Sequence, residues 1–260
     1  SKSLKAALKE GLLDSGINVV DYGEITTPMH YYTRYIENTY GIMVTASHNP
    51  KDDNGFKFSF DKLANARGEM IEDFKEFTFQ GNFLDGNGKC EERTIKEQYL
   101  KYLQDNIQMN NKSVKVVFDP GNGVTSTIIK DAIKLFPNIE PIYICDISDG
   151  TFPNHHPDPA IEENMQMLKE KVLETKADLG IAFDGDGDRL GIIDENGKFV
   201  MADQYLIVAI RNLINKVENK TFLCDVKCSK SLIDEIKQLG GNVYMSRTGT
   251  SFTEANTKEK

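Results

Sequence analysis

Residues 179–195, LGIAFDGDGDRLGIIDE, place three aspartates in alternation with glycines between two apolar runs, a pattern few local structures accommodate. Leu179–Phe183 and Leu190–Ile193 are short and rich in β-branched and aromatic side chains, as strands are, so Asp184, Asp186 and Asp188 fall in the connection between them. Gly185 and Gly187 lack a Cβ, which lets the backbone take positive φ and curl the three carboxylates towards one point. Left empty, such a cluster repels itself by roughly 1–3 kcal/mol for each pair about 5 Å apart. A bound cation relieves this, and hard oxygen donors favour Mg2+ or Ca2+ over zinc or copper. An EF-hand is excluded although Asp184, Asp186, Asp188 and Glu195 have its spacing: Arg189 occupies the position of the required glycine, and the flanks read as strands.

A second loop invites chemistry. The apolar run GIMVTA, 41–46, leads directly into SHNP, 47–50, and then KDDNGFKF. Pro50 keeps Asn49 out of the α region, so Ser47 is expected on a fixed loop past the carboxyl end of a strand, where open α/β sheets place their sites. His48 beside it suggests a hydrolase, but no G-x-S-x-G elbow is present and chain neighbours seldom face each other as nucleophile and base. Lys57, beyond Asn54-Gly55, offers a cation for phosphate or for carrying a proton. Alone, Ser47 is either functional or a loop hydroxyl. The two loops together offer more. A phosphate on Ser47 would bring nearly two negative charges, a cation at the trio could take one of its oxygens, and Arg189 could hold another bidentately. Phosphoryl transfer asks for little beyond such positioning and charge neutralisation.

Around these loops, apolar strands alternate with amphipathic helices, which predicts a parallel or mixed sheet with helices on its faces. Helices are expected at 3–14, from Thr27-Pro28 to Tyr35, at Glu92–Met109, Thr125–Phe136, 161–176, Asp203–Ile214 and Lys230–Leu239. Strands are expected at Ile17–Tyr22, 41–46, Lys115–Asp119, Glu140–Asp146, Thr221–Val226 and Asn242–Ser246, besides the two flanking the aspartates. A chain that opens on a helix with no preceding strand, and closes on TEANTKEK, is expected to lack portions at both ends.

Lys and Arg number 31 against 40 Asp and Glu, a net charge of −9 that argues against a nucleic-acid partner. No apolar run reaches spanning length and the N-terminus has no signal-peptide pattern, so no membrane association is expected. Cys90, Cys145, Cys224 and Cys228 show no C-x-x-C pairing and read as reduced thiols of a cytoplasmic protein. PGNG, 120–123, reads as a tight turn more readily than as a phosphate cradle, and His155-His156 as a packed loop more readily than as metal ligands. His30 acquires no role from the sequence.

TASHNP at 45–50 with NGFKF at 54–58, DGDGDR at 184–189, PNHHPDP at 153–159 and DVKCSKSL at 225–232 resemble the α-D-phosphohexomutases, in their phosphomannomutase/phosphoglucomutase branch. The resemblance runs along essentially the whole chain. It implies α/β architecture: consecutive three-layer α/β/α domains with mixed, mostly parallel sheets. These would be an active-serine domain at 1–110, incomplete at its start, a metal-loop domain at 111–202, and the start of a sugar-phosphate-binding domain at 203–260. It implies that Ser47 carries the phosphoryl group, with His48, Lys57 and Arg189 as catalytic partners. Asp184, Asp186 and Asp188 would hold Mg2+ with Ser47, and Arg247, Gly249 and Thr250 would meet substrate, although Thr250 stands where relatives often have histidine. Substrates would be hexose phosphates of mannose or glucose, with a hexose 1,6-bisphosphate as intermediate and activator. A phosphoglucosamine mutase, a phosphatase, or a fragment that binds metal and phosphate without turnover are the alternatives.

Overall fold

The structure, a computed structural model, describes residues 2–60 and 65–249. In the first hundred residues the secondary structure is short and lightly buried. Helix α1 (Lys2–Asp14) stops at Gly16, whose φ of +80° ends it, and leads to strand β1 (Val19–Asp21). Helix α2 (Thr27–Glu37) starts where Thr26 accepts the Met29 amide at 3.3 Å and Pro28 presets the first turn. Strands β2 (Gly41–Val44) and β3 (Phe56–Ser59) pair antiparallel, with Met43 opposite Lys57. Helix α3 (Glu69–Gln80), strand β4 (Cys90–Glu92) and helix α4 (Lys96–Asn106) follow. Ile25, Met29 and Ile95 are buried here together with Ile128.

One expectation is corrected in this region. The helix expected at Glu92–Met109 begins only at Lys96 and ends at Asn106, because Cys90–Glu92 pairs in parallel with β1. A strand whose partner lies some seventy residues earlier leaves no local signal, and its alternation is absent because all three residues are exposed. Helix α3 is not among the helices expected from the sequence, although Met70, Phe74 and Phe77 recur on one face and Phe74 packs against Phe58 and Phe60.

The middle of the chain is built around a five-stranded sheet. Strand β5 (Val114–Asp119) leads through a 3-10 turn at Val124–Thr127 to helix α5 (Ile129–Lys134) and strand β6 (Ile139–Tyr143). A second 3-10 turn, Glu162–Met165, opens helix α6 (Gln166–Thr175), and strands β7 (Leu179–Phe183), β8 (Leu190–Asp194) and β9 (Phe199–Val200) complete the sheet. Its order is β6-β5-β7-β8-β9, parallel across β6, β5 and β7 and antiparallel beyond. Strand alternation sorts the side chains into two cores. Val117, Ala182 and Ile193 pack under Leu168 and Val172 of α6, whereas Val116, Phe118 and Ile181 pack under Ile129 and Ile133 of α5. Helices therefore cover both faces, the three-layer arrangement the sequence implies.

Helix α7 (Ala202–Leu213), strand β10 (Thr221–Asp225), helix α8 (Lys230–Gln238) and strand β11 (Asn242–Ser246) form the last unit. Strands β10 and β11 pair in parallel over a core of Ile210, Ile214, Cys224, Leu232 and Ile236. No helix among the described residues is long and apolar enough to cross a membrane.

Candidate active site between the serine and aspartate loops

The aspartate loop joins β7 to β8, and its glycines serve two different purposes. Gly187 takes a φ of +77°, as the curl requires. Gly185 does not; a Cβ there would collide with the carbonyl oxygen of Ser47, so it is close approach of the other loop that excludes a side chain. The Val124 amide donates to the Gly185 carbonyl at 3.0 Å and the Thr27 amide, at the start of α2, to that of Asp186 at 2.9 Å. Two other elements thus fix the loop from outside. From inside, Asp184 Oδ1 accepts the amides of Asp188 and Arg189 at 2.9 and 3.0 Å.

The serine loop leaves β2 at Val44 and meets this loop through side chains. Thr45 Oγ1 donates to Asp186 Oδ2 at 2.9 Å and accepts the Ser47 amide at 2.8 Å, so one hydroxyl ties both loops. Ser47 has a φ of +56°, which is uncommon for a residue with a Cβ. Its Oγ donates to Asp184 Oδ2 at 2.9 Å, and His48 Nδ1 lies 3.2 Å from that Ser47 Oγ. Here the left-handed turn brings chain neighbours face to face, against the expectation that they seldom meet. Lys57, on β3, donates to Asp186 Oδ2 and Asp188 Oδ2, both at 2.8 Å.

The electrostatics follow from burial. Asp184 and Asp186 are 0% and 2% exposed. Burial, reinforced by the charges of Asp186 and Asp188, pushes the Asp184 carboxyl up to about 7. Burial acts on Asp186 as well, but the hydrogen bond and charge of Lys57 outweigh it and hold that carboxyl below its usual range. For Lys57 the same balance runs in reverse: burial opposes its charge, and its two aspartates raise it nonetheless.

One carboxylate oxygen from each of Asp184, Asp186 and Asp188 lies within 4.8 Å of the others, and Asp186 Oδ1 is buried with no hydrogen-bond partner among the described residues. An orphaned buried oxygen beside two carboxylates and a serine hydroxyl fits a hard divalent cation. The residues present can therefore hold a metal ion.

The remaining sequence candidates sit further out. Arg189 Nη1 lies 3.8 Å from Asp158 Oδ1, with its side chain 44% exposed. Arg247 and Gly249 follow β11, on the separate β10–β11 sheet, and Thr250 lies outside the described residues. Thr45, Thr27 and Asp158 were not singled out from the sequence. Thr45 and Asp158 fall within the motifs TASHNP and PNHHPDP, whereas Thr27 meets the site only through tertiary packing.

Residues 97–197 match the family described as phosphoglucomutase/phosphomannomutase, alpha/beta/alpha domain II, and residues 1–83 match domain I of the same family. A phosphomannomutase/phosphoglucomutase of Pseudomonas aeruginosa is 40% identical over 256 residues, covering 97% of this chain and 54% of that protein. A phosphoglucomutase of Neisseria meningitidis is 36% identical over 250 residues, covering 94% and 53%. The crystal structure of a phosphoglucomutase/phosphomannomutase family protein from Burkholderia thailandensis superposes with a TM-score of 0.92 at 33% identity, covering 98% of this chain and 57% of that one. The chain thus spans about half the length of the curated relatives it matches. With both domain matches, whole-chain similarity and a common fold agreeing, the chain belongs to the phosphoglucomutase/phosphomannomutase family.

Proposed function

We propose that this chain carries the phosphoryl-transfer centre of a Mg2+-dependent phosphohexomutase, which moves phosphate between the 1- and 6-positions of mannose or glucose through a phosphoserine and a hexose 1,6-bisphosphate. The observation that carries the reading is the Ser47 hydroxyl 2.9 Å from Asp184, at the edge of the oxygen cluster. Ser47 Oγ is the atom that accepts and returns the phosphoryl group. His48 Nδ1, 3.2 Å away, is in reach to take or restore the proton at that oxygen. Asp184, Asp186 and Asp188 would hold Mg2+ together with the phosphoserine, and a bound ion would supply positive charge against the phosphate. Lys57 keeps Asp186 ionised for that task and adds positive charge beside Asp186 and Asp188. Arg189 can exchange its long, partly exposed pair with Asp158 for a bidentate grip on phosphate. Arg247, Gly249 and Thr250 meet the sugar phosphate. The units are 1–110, 111–202 and 203–260, a division supported by their largely separate cores, and the enzyme is cytoplasmic.

The test is intact-mass analysis of the chain before and after exposure to glucose 1,6-bisphosphate, with a parallel assay for interconversion of glucose 1-phosphate and glucose 6-phosphate. One added phosphate on Ser47, absent in Ser47→Ala, is the expected result. Modification elsewhere, or equal labelling of that variant, rejects the assignment. A second reading, favoured by the half-length coverage of its relatives, is a fragment that takes phosphate on Ser47 without isomerising sugar. Labelling without interconversion identifies it, whereas steady release of inorganic phosphate would mark a phosphatase.

A further inference from the structure

A second polar cluster lies at the ends of β5 and β6, apart from the aspartate trio. The ring of His155 is held at both nitrogens. Nδ1 is 3.1 Å from the His156 carbonyl, which can only accept, so Nδ1 carries a hydrogen. Nε2 is 3.0 Å from Oδ2 of Asp119, a carboxylate with no exposure to solvent. A neutral imidazole would therefore aim its Nε2 lone pair at an anion, and something positive must lie between them. A second proton is one answer: burial opposes it, yet the hydrogen bonds to Asp119 and Cys145 push the imidazole up to about 10.

The thiol of Cys145 provides for another. One ligand atom from each of Asp119, Cys145 and His155 lies within 4.8 Å of the others. Cys145 is held in the left-handed region, φ +47°, with its carbonyl accepting the Asn122 amide at 2.8 Å. We propose that Asp119, Cys145 and His155 form a second metal site that takes Zn2+. A sulfur, a nitrogen and an oxygen donor make a borderline-soft set that suits zinc and not Mg2+. The outer hydrogen bonds that ligating groups need are in place: Nδ1–H of His155 donates to a carbonyl, and Oδ1 of Asp119 accepts the Gly121 amide at 2.9 Å. Tetrahedral zinc with bonds of ~2.0–2.1 Å spaces nitrogen and oxygen ligands by about 3.3 Å, a small opening of the 3.0 Å contact seen here. Asp119 is buried while Cys145 and His155 are partly exposed, which leaves an outward position for water as fourth ligand. Binding exchanges the proton between His155 and Asp119, and the thiol hydrogen, for the ion. Because Asp119 opens the turn whose Val124 amide holds Gly185, an ion here braces the aspartate loop from below.

Titration of the reduced 260-residue chain with Co2+, in saturating Mg2+ to fill the oxygen trio, tests the site. A sulfur-to-cobalt charge-transfer band should appear, be displaced by Zn2+, vanish in Cys145→Ser and persist in the Cys224→Ser/Cys228→Ser double variant. His155→Gln should weaken Co2+ binding at least about tenfold. In the unmodified chain, Zn2+ should slow alkylation of Cys145 as located by peptide mass. No band, a band that survives in Cys145→Ser, or alkylation of Cys145 indifferent to Zn2+ would each overturn the proposal.

Discussion

The two loops of the candidate active site rest on unlike foundations. The aspartates extend from β7, a central strand covered on both faces by α5 and α6, with Leu168 and Val172 completely buried. Ser47 follows β2 and Lys57 lies on β3, a strand pair in which Ser59 is the one buried residue. Apolar packing positions the first loop, whereas polar contacts hold the second against it: Thr45 and Lys57 on Asp186, Ser47 on Asp184. The lesson is that charge at the site does structural work as well as chemical work, so the junction between the loops responds to the state of the carboxylates.

The largest effect expected on this contrast comes from Lys57→Met. Removing a cation that faces the buried Asp186 typically costs about 3–5 kcal/mol, and here much of that loss should reverse in excess Mg2+, since the ion can replace the ammonium. Denaturant titrations in chelator and in Mg2+ measure it; equal stability of variant and parent in chelator would show that polar contacts do not secure the junction. Leu168→Ala strikes the other foundation. A cavity beneath α6 should cost about 3 kcal/mol, with no recovery in Mg2+, and recovery would blur the distinction between the loops.

pH offers a milder test. Asp184 titrates at about 7 in the folded chain against an ordinary 3.8. Its folded value is raised, so the stability it contributes is complete below the ordinary value and is lost as pH rises towards the folded one. Mg2+ needs the ionised form, so its apparent affinity should fall about tenfold per pH unit below the folded value. Calorimetric titration from pH 7.5 to about 5.5 checks the slope, which should flatten in Asp184→Asn. The smallest effect is expected of Thr45→Val, which removes a hydroxyl that joins the loops at nearly constant volume. A loss of about 1–2 kcal/mol, seen as a lower melting temperature, should accompany slower labelling of Ser47; unchanged labelling would mean the hydroxyl is not needed to position the serine.

Much of this was legible in the chain itself. The runs flanking 184–189 are continuously apolar because β7 and β8 pack into the core, β7 on both faces, and they match the strands to within a residue. The strand at Cys90–Glu92 was not legible, because its residues are all exposed and it depends on β1 for its existence; helix α3 is not among the expected helices, although Met70, Phe74 and Phe77 share one face. Within the site, the donor chemistry of Ser47, His48, Lys57 and the aspartates could be named from residue type. The link at Thr45 and the role of Gly185 could not. His155 invited a reading as loop packing, and only its placement against Asp119 and Cys145 gives it other chemistry.

The sequence by itself determined which groups are available and which segments carry them: oxygen donors in a glycine-curled loop, a serine ahead of a rigid proline, and apolar periodicities that commit the chain to layered α/β units. These are local properties, set by side-chain chemistry and by backbone preferences over a few residues. Tertiary structure alone decided that Ser47 meets Asp184 across 137 positions and that Lys57 reaches Asp186 across 129. Contacts of that separation exist only once the sheets and their covering helices have packed, and the shifted carboxyl groups follow from the burial that packing creates.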